Sequence, residues 1–256
     1  MKAVSPALHN TIQELLNLPA LEKFSLGGGT SLAIRYNHRL SIDIDLFSSD
    51  IIGKDGFNDI IKVVTELYGD AITGCQFPCN ETDQYIFLRF FITKDDLTIK
   101  VEALQNFKTL FDPENVEGIR LIDKRDLGLF KLISASNRAS NKDIYDLDYI
   151  TDEIPITELY DLLLKKEEKF NQESDRTIFD LDNEISPSED PKLLLKFDNN
   201  YDCGKSGRPV HSNDRIDIVP GSKEWRQARS NWIKKLRRLF DHIGVDFPPP
   251  AGQDIE

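Results

Sequence analysis

The stretch Ser41–Phe47 reads S-I-D-I-D-L-F and constrains this chain more than any other. Ile42, Ile44 and Leu46 alternate with Asp43 and Asp45. On a strand alternate side chains share a face, so the apolar residues are expected in a core and both carboxylates on the opposite side. Like charges held that close resist ionising together, and a strand seldom carries them without a cation between them. A divalent ion such as Mg²⁺ or Mn²⁺ suits the pair, because Mg²⁺ is usually held by one or two carboxylates plus substrate phosphates. Without an ion the same pattern is a solvated strand face.

Upstream, Phe24–Leu26 reads as the end of a buried strand, and Gly27, Gly28 and Gly29 follow it. Glycine lets a large anion approach the main chain. Thr30 and Ser31 precede the helix-forming run Leu32, Ala33, Ile34, and a hydroxyl at a helix start caps free N–H groups. Those N–H groups and the helix dipole favour a phosphate. No GKS or GKT follows, and the spacing is not G-x-G-x-x-G, so by itself the turn fits a phosphate cradle or a plain tight turn.

The 256 residues carry 32 basic and 44 acidic side chains, a net charge of −12. That balance argues against indiscriminate nucleic-acid binding by the whole surface and leaves room for a local basic patch. Cys75, Cys79 and Cys203 are odd in number and form no zinc pattern, which fits a reducing cytoplasm. No stretch approaches a membrane span, so a cytoplasmic chain without membrane contact is expected. Helices are expected over 5–18 and 56–68, then a hairpin of strands 85–93 and 97–104 turning at Lys94-Asp95-Asp96, and one more strand at 116–122. Helical spacing follows over 126–136, 141–150 and 155–170, with a short helix or turn at 177–181 and a linker at 185–191. Short strands at 192–197 and 216–219 flank the Gly- and polar-rich segment 201–214. The segment 223–243 is amphipathic: Trp225, Trp232, Leu236, Leu239, Phe240 and Ile243 oppose Arg226, Arg229, Lys234, Lys235, Arg237 and Arg238. This basic stripe is either an RNA contact or a counter-charge to an acidic body. A frayed tail is expected at 248–256.

The run GGGTSLAIRYNHRLSIDIDLF, residues 27–47, resembles the motif of the AbiEii/AbiGii abortive-infection toxins, within the polymerase-beta-like nucleotidyltransferase superfamily. The matching positions are Gly28 and Gly29, Thr30 and Ser31, Leu32 to Tyr36, His38 and Arg39, then Asp43 and Asp45. A second signature resembles K-x6-R-x3-K-D-x-Y-D-L, beginning at Lys131 and containing Asp143. The resemblance implies an α+β fold: a nucleotidyltransferase sheet core flanked by helices over 1–122, a helical region completing the cleft over 123–185, and a C-terminal extension over 186–256. It implies metal-dependent transfer of a nucleoside monophosphate from an NTP to a hydroxyl. Asp43 and Asp45 would bind Mg²⁺ or Mn²⁺, with Glu102 as third ligand where Asp is more usual. Gly28, Gly29, Thr30 and Ser31 would hold the terminal phosphates, Arg39 and Lys131 would offset the triphosphate charge, and Asp143 would orient Lys131 or the acceptor. It further implies a toxin of a two-gene system that limits phage, a separately encoded DNA-binding antitoxin repressor, and tRNA as acceptor. Small-molecule nucleotide transfer, or nucleotide binding with little catalysis, are the alternatives.

Overall fold

A computed structural model describes residues 2–79, 81–94, 97–201, 203 and 214–251. The chain divides into two compact units: Met1–Asp123 with Phe170–Leu181, and Lys124–Lys169 with Asp182–Glu256. The division departs from the three consecutive segments expected. Residues 170–181 return to the first unit because Asn106 Nδ2 donates to the carbonyls of Ser174 and Arg176, both at 2.8 Å. Residues beyond 186 join the helices of the second unit instead of standing apart.

In the first unit the elements run α1 (Pro6–Leu16), β1 (Ser25–Leu26), α2 (Gly28–Tyr36), β2 (Ile44–Phe47), α3 (Gly53–Tyr68), β3 (Ile72–Gln76), β4 (Leu88–Lys94), β5 (Leu97–Leu104), β6 (Glu114–Val116) and β7 (Ile119–Leu121). Ser5 caps α1 by accepting from the Leu8 N–H at 3.1 Å, with proline at the first turn, where its missing N–H costs nothing. Among the described residues the strands form one mixed sheet in the order β3-β4-β5-β2-β1-β7-β6. The pairs β2–β5 and β1–β7 are parallel and the others antiparallel.

Register assigns the faces. Ile44 pairs with Val101 and Leu46 with Ala103, while Val101 and Ala103 pair with Phe90 and Leu88. All six are buried, so one face of these three strands is continuous core. On the other face Asp45 pairs with Glu102, and Glu102 with Arg89. Ile42 is a correction: expected inward, it is 58% exposed. Ladder pairing begins only at Ile44, so strand alternation does not reach it. Strand β3 carries no alternating apolar pattern and is largely exposed, held at the sheet edge by its pairing to β4, which is why periodicity missed it.

The second unit is helical: α4 (Lys124–Asn137), α5 (Asn141–Glu153), α6 (Ile156–Lys169) and α7 (Trp225–Ile243). Trp232, Leu236, Leu239 and Phe240 of α7 are buried, and Gly244 ends the helix in the left-handed region at φ 68°. The strand expected at 192–197 is instead a 3-10 helix, Pro191–Leu195. Leu193, Leu194 and Leu195 are all buried there, which strand alternation cannot achieve beside one core. Trp232 Nε1 donates to the Leu194 carbonyl at 3.3 Å. The strand expected at 216–219 is only an isolated bridge at Ile218. The turn at 95–96, most of 201–214 and the tail from 252 lie outside the described residues.

Half of the basic stripe on α7 is engaged within its own unit. Lys235 Nζ lies 2.6 Å from Asp148 and 2.7 Å from Asp152. Arg229 pairs with Asp198 at 2.5 Å, and Arg237 lies 4.2 Å from the centre of the Phe247 ring. Arg226, Lys234 and Arg238 are exposed.

Candidate active site

In the first unit, helix α2 opens directly from β1, and Gly28 and Gly29 are its first two residues. Gly28 has φ +60°, and a Cβ there would collide with Asp45 Oδ2. A Cβ on Gly29 would collide with Arg39 Nη2. These glycines therefore admit a carboxylate and a guanidinium to the N-terminus of α2, where backbone N–H groups lack helical partners. The Gly27 N–H donates to the Asp45 carbonyl at 2.8 Å, fixing β2 against the turn. Gly28→Ala is expected to reduce nucleotide transfer by more than about a hundredfold and stability by about 1–3 kcal/mol, through left-handed strain and displacement of Asp45. Paired activity and urea-unfolding measurements check it.

Thr30 and Ser31 are a second correction. Gly27, not a hydroxyl residue, occupies the N-cap position, without a side-chain cap bond. Thr30 and Ser31 lie within the helix, 1% and 0% exposed, so their hydroxyls face the interior instead of a bound phosphate. The Thr30 hydroxyl donates to the Asp43 carbonyl and lies 2.8 Å from the Ser41 hydroxyl. It ties α2 to the approach of β2 and so sets where Asp43 stands. Arg39, 6% exposed, donates from Nη1 to the Leu40 carbonyl at 3.2 Å while Nη2 abuts Gly29.

Glu102 stands beside Asp45 in the β2–β5 register, but its oxygens have other partners. Oε1 accepts from Arg89 Nε at 2.7 Å, with Nη2 at 2.5 Å, and Oε2 accepts from Lys100 Nζ at 3.0 Å. Burial pushes the Glu102 carboxyl up, but Lys100 and Arg89 outweigh it and hold the pKa below the usual value. Burial likewise opposes the charge on Lys100, and Glu102, Asp45 and Asp43 outweigh it, raising that pKa. Lys100 Nζ is 3.8 Å from Asp43 Oδ2.

Donor chemistry tests whether a divalent ion fits. The Asp43 side chain is 45% exposed, and Asp45 meets the N-terminus of α2 through the space left by Gly28. Two accessible carboxylates beside the glycine turn at the N-terminus of α2 fit Mg²⁺ or Mn²⁺. Glu102 differs from the two aspartates in that both its oxygens accept from cationic side chains. Among the described residues no group of three or more His, Cys, Asp or Glu gathers as a metal site. Of the three carboxylates expected to gather, Glu102 stands in register beside Asp45 with both its oxygens on basic side chains. Arg89 and Lys100 were missed in the sequence. The signal present was Lys100 two residues before Glu102, hence on its face of a strand; Arg89 required the β4–β5 register.

In the second unit, Lys131 on α4 and Asp143 on α5 meet within a buried ionic cluster. Lys131 Nζ lies 2.8 Å from Asp143 Oδ1 and 2.8 Å from Asp146 Oδ2. Arg138 Nε lies 2.6 Å from Asp143 Oδ2, and Nη2 lies 3.0 Å from Oδ1. Asp146 went unassigned in the sequence, although its i+3 spacing from Asp143 places both on one helix face. Asp143 is fully buried, which opposes its charge, but Lys131 and Arg138 outweigh burial and bring its pKa from 3.8 down to about 2. A lowered folded-state pKa stabilises above the unfolded value, and that stability is lost as pH falls through the folded one. The stability advantage of the native chain over Asp143→Asn is therefore expected to shrink between pH 3.8 and about 2, by on the order of 2 kcal/mol. Urea unfolding at stepped pH measures it.

No helix among the described residues is long and apolar enough to cross a membrane. Comparison with known proteins adds a family and two relatives. Residues 12–237 match the family model described as nucleotidyl transferase AbiEii toxin, type IV toxin–antitoxin system. An uncharacterized protein of Aquifex aeolicus (strain VF5) is 27% identical over 152 residues, 59% of this chain and 68% of that protein. Among solved structures, MenT4, a nucleotidyltransferase toxin from Mycobacterium tuberculosis H37Rv, is similar with a TM-score of 0.49 and 16% identity, over 93% of this chain and 83% of that one.

Proposed function

The chain belongs to the AbiEii nucleotidyl transferase toxin family of type IV toxin–antitoxin systems, and on that premise we propose that it transfers a nucleoside monophosphate from an NTP to a hydroxyl of tRNA, aided by a divalent ion on Asp43 and Asp45. The family itself implies a nucleoside triphosphate substrate and an antitoxin partner. The observation that carries the reading is the placement of Asp45 against Gly28, at the first turn of α2.

The N-terminus of α2 and the main chain at Gly28 and Gly29 receive the terminal phosphates, because free N–H groups and the helix dipole favour anions. Arg39, held against Gly29, adds positive charge on the same side. Asp43 and Asp45 hold the divalent ion, which when bound lowers the pKa of an attacking hydroxyl and offsets charge on the transferred group. The hydroxyl oxygen bonds to the α-phosphorus as the bond to pyrophosphate breaks, and the hydroxyl proton leaves to solvent. Thr30 holds the Asp43 backbone in place, which is catalysis by positioning.

The same reading extends to the cell. The antitoxin is a separately encoded DNA-binding repressor, and the toxin acts in the cytoplasm to limit phage spread. The test is incubation with each labelled NTP, Mg²⁺ and total RNA, beside small hydroxyl compounds. Label is expected on RNA of tRNA size, and chelation with EDTA abolishes it. Label on a small acceptor with none on RNA would replace tRNA in this reading.

A further inference from the structure

We infer that Lys100 stands where a second cation would otherwise sit, and that Glu102 serves as counter-ion to Lys100 and Arg89 instead of ligating metal. The inference rests on the reading above, in which Asp43 and Asp45 hold one divalent ion.

The β2–β5–β4 register sets Asp45, Glu102 and Arg89 side by side across three strands on the face opposite the core. Lys100 projects from β5 on the face of Glu102, two residues away, and reaches back toward β2. Its ammonium is 3.0 Å from Glu102 Oε2 and 3.8 Å from Asp43 Oδ2. Three carboxylates in one neighbourhood need positive charge to remain ionised together. The protein supplies part of it covalently: an ammonium among the carboxylates and a guanidinium on the far side of Glu102. With its neutralising charge built in, Glu102 needs no metal, and a metal reaching it would have to displace both basic side chains. The site is therefore built for a single ion shared by the aspartates and the triphosphate.

Lys100 is thus a positioning residue with an electrostatic role. It lowers the attraction of the empty aspartate pair for metal and ties ion binding to the arrival of the triphosphate. A lysine suits this task because its compact charge sits on a flexible stem, which lets it stay on Glu102 while the aspartates hold the ion.

The test titrates Mn²⁺ alone into the full chain and follows the free-ion signal by electron paramagnetic resonance, with circular dichroism as a check of folding. Glu102→Gln is expected to change Mn²⁺ affinity by less than about threefold, while Asp45→Asn weakens it by more than about tenfold. Lys100→Gln is expected to strengthen Mn²⁺ binding by about tenfold and Lys100→Arg to leave it near the native value, since the charge is what competes. Loss of affinity in Glu102→Gln equal to that in Asp45→Asn would overturn the inference and leave the proposed reaction standing. Should Glu102→Gln not fold, unchanged affinity in Lys100→Gln overturns it independently. Absence of any Mn²⁺ binding by the native chain would remove the aspartate metal site itself and this inference with it.

Discussion

Asp45→Asn is expected to lower nucleotide transfer by about a thousandfold or more, corresponding to at least about 4 kcal/mol of lost barrier stabilisation. The size follows from position. Asp45 abuts the N-terminus of α2 through the space left by Gly28, and it lies in register with Glu102. Asparagine keeps the shape, so the close approach to Gly28 survives, but the charge that holds a divalent ion is gone. The fold is expected to hold within about 1 kcal/mol, because the substitution removes one of several clustered negative charges and no core packing. Single-turnover transfer at saturating Mg²⁺, with urea unfolding alongside, measures both quantities. A variant that folds normally and keeps a tenth or more of its activity would sink the assignment of Asp45.

Lys131→Met is expected to destabilise the second unit by about 3–5 kcal/mol, the cost of leaving a buried charge without its partner. Here two buried carboxylates, Asp143 and Asp146, lose a cation that is itself 9% exposed. Arg138 remains against Asp143, and Lys131 Nζ also stands 2.8 Å from Asp146 Oδ2. The family resemblance implies a triphosphate contact for Lys131, and loss of activity in this variant would then have two sources. Activity per folded molecule, obtained by combining urea titrations with assays well below the unfolding midpoint, separates them. Full activity in the folded fraction would confine Lys131 to holding the helices together. An unfolding midpoint unchanged from the native chain would remove the stabilising role.

Parts of the fold around the candidate site were legible along the chain because their signals are local. The alternation from Ile44 to Leu46 around Asp45, the glycines before a helix and the helical spacing of 223–243 each depend on neighbours within a turn or a few strand residues. Thr30 shows where that kind of reading ends. Its residue type suits a cap, but the helix began two residues earlier, at Gly28, and turned the hydroxyl inward onto Asp43. Ile42 fits an alternating strand, yet the ladder opens only at Ile44. Glu102 looks like a third ligand in isolation, and its partner Arg89 comes from another strand, 13 residues away in the chain.

The sequence by itself determined the buried alternation of Ile44 and Leu46, the glycine turn and the amphipathic helices, since backbone periodicity and glycine's missing Cβ act over a few residues. The tertiary structure alone decided which charges meet. Strand order put β5 between β2 and β4, and that register placed Arg89 on Glu102, while the β1–β2 pairing brought Asp45 to Gly28. Charge pairing falls steeply with distance, so a carboxylate's role depends on groups within a few ångströms of it, wherever in the chain they originate.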